Sequence, residues 1–281
     1  MTSLINGTVA DSLAIADRAI QYGDGLFETI AVINQQIHNW DKHFERLCNG
    51  CQVLGFSAPD EKKLLSEIES LLTQQPDMKR CIIKILLTRG TGGRGYGIPE
   101  SQQNQRIITV YPWPDYPLEY YDQGVAIAEV SFRLAQQPVL SGIKHTNRLE
   151  QVLAKQKLSK EFQEALVLDH RDNIIEGISS NIYFFSDGVL CMPDLKQCGI
   201  AGTIRARIIE LCQQNNILTK LGEFKIKQIR EADEVFMSNS IIGLWPVKTI
   251  QLLDNETIQL SSPGPIYIRL ATVINGQLKH F

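Results

Sequence analysis

Apolar and polar residues alternate along LFETIAVI (26–33), the pattern of a strand with one covered face. Asn34-Gln35 is placed to turn that strand back into QIHNW. LINGTV near the start carries an Asn6-Gly7 turn between apolar residues, and Asp187-Gly188 does the same inside NIYFFSDGVLCM. The period then changes. Phe44, Leu47, Cys51 and Leu54 recur at helical spacing, predicting a helix from a cap at Asp41 to about Leu54, with Arg46 off the apolar face and free for other work. A second helix is expected over roughly 59–72, followed by strands in CIIKILLTRG and QRIITVYPW.

Prolines at 112, 114 and 117 favour an extended, semi-rigid connection, which sets a domain boundary near residue 115. The expected division is a small domain over 1–115 and a larger one over 116–281. In the second part, strands in VAIAEV, EALVLD, NIIEG, EVFMSNSI and PVKTI alternate with helices after Asn147, after Thr203 and over about 265–274. Asn147 and Glu150 fit a capping pair, and Leu149, Val152 and Leu153 supply a buried face for the helix they open. The pattern is mixed α+β with many hairpins rather than strict βαβ alternation.

Composition narrows the function classes. The 281 residues, 43% of them hydrophobic, suffice for one or two substantial cores. A net charge of -3 gives no general pull toward nucleic acid or anionic lipid, so neither is expected as a partner. No apolar run approaches the roughly 20 residues that span a bilayer, and the N-terminus lacks the pattern of a signal peptide. Six scattered cysteines suit thiols in a reducing cytoplasm.

Some chemical-looking patterns lack their context. Gly90, Gly92 and Gly95 satisfy G-x-G-x-x-G after a strand, but Pro99 argues against the helix a dinucleotide site requires. A loop beside a substrate, with Arg94 at its tip, is the better expectation. Cys48 and Cys51 form C-x-x-C without a second pair at zinc spacing, the histidines are dispersed, and no metal site is expected. GISSN lacks the second glycine of a nucleophile elbow.

Four segments remain. Lys144 stands just before a helix, where a side chain can enter a cleft or simply be solvated. Glu176 ends a short apolar strand and Gly177 breaks it; a carboxylate buried there needs a partner, whereas one in a turn does not. A glycine-rich turn opens a helix at Thr203, and backbone N–H groups at such a start suit phosphate. Ser238, Asn239 and Ser240 interrupt an apolar strand, as a ligand-facing strand end or a turn would.

In this order, YGDGLFETI, HFERL, TRGTGGRGYG, GIKHTNRLEQVLA, EALVLD, GISSNIYFF, GTIR and DEVFMSNS resemble the fold-type IV pyridoxal-phosphate enzymes over nearly the whole chain. Those enzymes include branched-chain aminotransferases, D-amino acid aminotransferases and aminodeoxychorismate lyases. The resemblance implies two domains with pyridoxal 5′-phosphate between them, and a homodimer. It matches Lys144 to the Schiff-base lysine, Glu176 to the carboxylate at the pyridine nitrogen, and Arg46 to an arginine at the phosphate. Thr203 and Ile204 match backbone donors to the phosphate, and Ser240 matches a hydroxyl that also reaches it. Lysine supplies the amine that this chemistry requires, and an ionised Glu176 would keep the ring nitrogen protonated.

Within the family, Lys-His-x-Asn-Arg-Leu-Glu after the lysine, the TRGTGGRGYG loop and Tyr111-Pro112 resemble the lyases. That likeness implies conversion of 4-amino-4-deoxychorismate to 4-aminobenzoate and pyruvate. Arg94, Arg106 and Arg148 become candidate contacts for the two substrate carboxylates, with Tyr111, Asn147 and Asn239 beside them. Glu28 stands where some lyases carry threonine; strand alternation keeps Thr29 from replacing it. A D-amino acid or branched-chain aminotransferase using the same lysine is the alternative. A non-catalytic homologue that only binds cofactor is the second, and it leaves Lys144 and Glu176 unexplained.

Overall fold

The computed structural model describes residues 2–278, which divide into two compact units. The first comprises 2–114 together with 143–147; the second comprises 115–142 and 148–278. Sequence order had placed Lys144 in the later domain. Backbone pairing explains the difference: His145 bridges Leu26, and the Phe27 N–H donates to the Lys144 carbonyl at 2.9 Å.

The first unit is a sheet with two long helices on one face. Its strands are β1 (Ser3–Ile5), β2 (Thr8–Val9), β3 (Gly25–Ile33), β4 (Gln36–Ile37), β5 (Arg80–Thr88) and β6 (Gln105–Pro112). They pair antiparallel in the order β2-β1-β6-β5-β3-β4. The expected hairpin turns form: Asn6, Gly7, Asn34 and Gln35 all have positive φ, as tight two-residue turns require. Its helices are α1 (Arg18–Tyr22), α2 (Trp40–Leu54) and α3 (Glu61–Thr73). Asn39, not Asp41, precedes α2, and Asp41 lies inside its first turn. Burial alternates along β5 in step with the pleat. Leu26, Ile30, Ile83, Ile85, Leu87 and Ile108 join Leu47, Leu64, Ile68 and Leu71 in the buried core. The opposite face, with Phe27, Thr29, Lys84 and Tyr111, is half-buried.

The second unit opens with α4 (Glu119–Asp122), β7 (Val125–Leu134), α5 (Leu149–Lys157), β8 (Glu164–Asp169) and β9 (Ile174–Glu176). It continues through β10 (Asn181–Ser186), β11 (Val189–Pro193), α6 (Thr203–Gln214), β12 (Leu218–Gly222) and α7 (Ile226–Arg230). It ends with β13 (Glu234–Asn239), β14 (Gly243–Gln251), β15 (Thr257–Gln259) and α8 (Pro265–Gln277). The mixed sheet runs β12-β11-β10-β13-β14-β7-β8-β9, with β15 on β14. Ile204, Ile208, Leu211, Leu270 and Ile274 from α6 and α8 pack with Tyr183, Leu190 and Phe236 of the sheet. Ile182, Phe184, Val235 and Met237 join a second core with Trp245 and Phe224. Covering both faces explains why β8 and much of β10 and β13 are apolar runs rather than alternating ones.

Helix α5 departs from expectation. Leu149, Val152 and Leu153 are exposed, at 75%, 49% and 44%, and Ala154 is the buried residue. Their helical spacing marks an apolar stripe, but none of the described residues covers it. The capping pair also does not form: Asn147 donates to the Gly23 carbonyl, and Glu150 accepts from the Ala135 N–H. No helix of the described residues is long and apolar enough to cross a membrane.

Candidate functional site

In the first unit, Lys144 is fixed by its backbone. The Thr146 N–H donates to the Gly25 carbonyl at 2.9 Å, and the Thr146 hydroxyl donates to the Gly23 carbonyl at 2.6 Å. This holds residues 143–147 along the start of β3. The Lys144 Nζ then lies 4.4 Å from the centroid of the Phe27 ring. Lys84 joins it there, with Nζ 5.5 Å from the same centroid. Two ammonium groups over one aromatic ring create a positive, half-buried patch on this face. Tyr111 occupies the same face, because strand register pairs it with Ile82, two residues from Lys84. The sequence reading missed Phe27 and Lys84: a lysine within CIIKILLTRG has no distinguishing signal until the strand register is known.

Glu28 points to the helix side instead. Its carboxylate accepts from Arg46 Nε at 2.8 Å and from Arg46 Nη2 at 2.5 Å. His43 Nδ1 lies 2.6 Å from Glu28 Oε2. Burial alone would raise the Glu28 carboxyl, but the Arg46 charge and the hydrogen bonds from Arg46 and His43 hold it down to about 2. Burial lowers the pKa of His43, a change that Glu28 only partly offsets. Arg46 is thus not free, as its place off the apolar face suggested; it lies on the side of α2 that meets β3. Position 28 turns away from the Phe27 face, so whatever Glu28 does, it does through Arg46 and His43.

In the second unit, Glu176 ends β9 buried, and its Oε2 accepts from the Ile200 N–H at 2.8 Å. That amide follows Gly199, whose φ of 90° and close neighbours Ile175 and Glu176 leave no room for a side chain. Arg148 precedes α5; burial lowers its pKa against the opposing pull of Glu176 and Glu150. Helix α6 begins after Gly202, which offers no side-chain cap. A Cβ on Gly202 would run into Asn181 Oδ1, while Asn181 Nδ2 donates to the Ile200 carbonyl at 2.9 Å. A glycine-rich turn is therefore held rigidly at the start of α6, where Thr203 and Ile204 are buried. Ser240 follows β13, half-buried. Asn239 is used locally: its Oδ1 accepts from the Ile241 and Ile242 N–H groups, each at 2.9 Å, and its Nδ2 donates to the Ser179 carbonyl.

The remaining candidates separate. Arg106 donates to Glu67 from Nε at 3.1 Å and from Nη2 at 2.6 Å. Register pairs it with Leu87 and hence with Leu26, on the helix side, so the fold does not bring it to Lys144. Arg94 is exposed on the loop after β5. No helix follows the G-x-G-x-x-G there. Buried Arg18 instead donates to the Gly95, Tyr96 and Gly97 carbonyls and pairs with Asp24. Cys48 and Cys51 share α2 as unpaired thiols, and burial pushes Cys51 up to about 12. Among the described residues, no group of His, Cys, Asp or Glu side chains could hold a metal ion.

The model of the amino-transferase class IV family matches residues 25–250. The chain belongs to this family. It is 32% identical to aminodeoxychorismate lyase of Vibrio harveyi, over 90% of this chain and 92% of that one. It is 26% identical to D-alanine aminotransferase of Listeria monocytogenes, over 96% and 93%. The crystal structure of 4-amino-4-deoxychorismate lyase from Pseudomonas aeruginosa matches with a TM-score of 0.88 and 36% identity, covering 99% of this chain and 98% of that one. Class IV enzymes depend on pyridoxal 5′-phosphate. Each unit carries chemistry that suits that group: an amine at Lys144 in the first, and in the second a buried carboxylate at Glu176 and a helix start at α6 whose N-cap glycine offers no side chain.

Proposed function

We propose that this class IV protein is a lyase that converts 4-amino-4-deoxychorismate to 4-aminobenzoate and pyruvate. The observation that carries the reading is the greater likeness to the lyases than to the D-alanine aminotransferase, sustained over nine-tenths or more of the chain. The charged face around Phe27 supports it, because the substrate carries two carboxylates and Lys84 adds a cation beside Lys144.

Pyridoxal 5′-phosphate, when bound, supplies an aldehyde that links to amines and a ring that accepts electrons. Arg46, the Thr203 and Ile204 amides and the Ser240 hydroxyl would hold its phosphate, and Glu176 would keep its ring nitrogen protonated. Lys144 would hold the cofactor through its amine, and the same amine would move the proton of the substrate ring carbon that bears the nitrogen. Loss of pyruvate then leaves an aromatic ring, so the protein mainly orients the substrate and handles protons. Lys84, Arg94, Arg148 and Tyr111 meet the substrate. Asn147 and Asn239 steady the segments next to Lys144 and Ser240, and Arg106 is left to Glu67. The small domain takes residues 1–115 and the larger one 116–281, apart from the lysine segment 143–147, and the assembly is a homodimer. Six unpaired thiols suit a cytoplasmic enzyme.

The test is turnover of 4-amino-4-deoxychorismate by the cofactor-loaded protein. Equal amounts of 4-aminobenzoate and pyruvate should appear with no amino acceptor present. Product formation only in the presence of a 2-oxo acid would overturn the reading in favour of an aminotransferase.

A further inference from the structure

Glu28, His43 and Arg46 form a linked set with a gradient of exposure. The side chains of Glu28 and His43 are each 1% exposed, and that of Arg46 is 11% exposed. Stability alone is a poor account of such a set. Exchanging a buried ion pair for apolar residues of similar volume is often neutral or stabilising. Orientation is the better account. Two bonds from the Nε and Nη2 edge of a planar guanidinium fix both its direction and its plane. His43 in turn fixes the carboxylate, by holding the same Oε2 that accepts from Nη2.

We propose that Glu28 is a positioning residue: with His43 behind it, it aims the Arg46 guanidinium at the cofactor phosphate. The proposal rests on the reading that Arg46 meets that phosphate. It also accounts for a glutamate at position 28: the side chain lies on the helix side of β3 and acts on the cofactor through Arg46, without touching the substrate. Charge and orientation make opposite predictions here. As a charge, Glu28 cancels part of the attraction between Arg46 and a phosphate, so its removal should tighten binding. As an orienting group, its removal should weaken binding, because the arginine loses its bidentate anchor.

The experiment titrates the apo-protein with pyridoxal 5′-phosphate and, separately, with pyridoxal, which lacks the phosphate. Binding is followed by absorbance, and the ratio of the two dissociation constants isolates the phosphate contribution. Glu28→Gln should weaken pyridoxal 5′-phosphate binding about tenfold, the scale of one charge-assisted hydrogen bond, and leave pyridoxal binding unchanged. Glu28→Asp should recover part of the loss. An unchanged ratio, or tighter binding of the phosphate form, would overturn the proposal. If Glu28→Gln does not fold, His43→Gln applies the same test, with an expected loss of about threefold through the loosened carboxylate; an unchanged ratio there would equally overturn the proposal. Arg46→Ala is the parallel arm. If it leaves the ratio unchanged, the phosphate role of Arg46 fails; if it collapses the ratio while the variants at 28 and 43 do not, only the positioning role fails.

Discussion

In the first unit, buried or half-buried carboxylates meet guanidinium groups: Asp24 pairs with Arg18 and Arg89, Glu28 with Arg46, and Glu67 with Arg106. In the second unit, backbone amides do much of this work. Glu164 accepts from the N–H groups of Ala165, Ile178 and Ser179 and from two serine hydroxyls. Asp169 accepts from the Arg171 and Asn173 amides, and Glu234 closes the first turn of α8 through Ile266 and Tyr267. The two solutions differ in what they fix. A guanidinium held at two N–H groups has its plane and direction fixed as well as its charge; a backbone amide has a single hydrogen to give. In the first unit, Glu28 thereby sets the plane and direction of the Arg46 guanidinium. In the second unit the two helix starts differ: Glu234 closes α8, whereas the N-cap of α6 is Gly202, which has no side chain to cap with.

The largest effect is expected at Lys144. Lys144→Ala should lower turnover by at least about 10³-fold, on the scale of losing a covalent and proton-transfer group, and remove the visible absorbance of the loaded enzyme. Next is the contrast itself. Arg106→Leu leaves Glu67 buried without its cation and should cost about 3 kcal/mol in urea unfolding, with KM unchanged. Glu67→Leu combined with Arg106→Leu should regain most of that loss. Glu234→Gln should cost only about 1 kcal/mol, since amide donors lose charge but not every acceptor. Equal costs for Arg106→Leu and Glu234→Gln would erase the distinction between the units.

Acid should act on the ion-paired set in two stages. Burial lowers the His43 pKa, so its contribution is full above the ordinary histidine value of 6.5 and is lost as pH falls below it. The depressed Glu28 carboxyl contributes fully above 4.5, and this is lost as pH falls toward about 2. Each stage should remove no more than about 1.4 kcal/mol per pH unit, the slope of one proton. His43→Gln should abolish the upper stage in a series of unfolding curves and spare the lower. The smallest structural effect belongs to Arg94, exposed on its loop. Arg94→Ala should shift stability by less than about 0.5 kcal/mol while raising KM about tenfold, the loss of one carboxylate contact.

Hairpins and their turns were legible because Asn6-Gly7, Asn34-Gln35 and Asp187-Gly188 occupy backbone conformations that few other residue pairs tolerate. The order of chemical segments, from HFERL to DEVFMSNS, was enough for the family. Partners distant in sequence were not legible. Spacing placed Arg46 off the apolar stripe of α2, but only the packing of α2 on β3 reveals Glu28 beneath it. The stripe of Leu149, Val152 and Leu153 was visible as a stripe; periodicity says nothing about what covers one. Lys84 needed strand register to become more than a lysine among isoleucines.

The excursion of residues 143–147 back to β3 has a consequence for biosynthesis. The chain is made from its N-terminus, so β3 exists before the segment that pairs with its first residues. For the few seconds between synthesis of Pro114 and of Asn147, the Phe27 N–H and the Gly25 carbonyl lack their native partners. A nascent strand margin of that kind can pair with another chain emerging nearby. Folding on the ribosome therefore has to shelter this margin until the lysine segment arrives to close it.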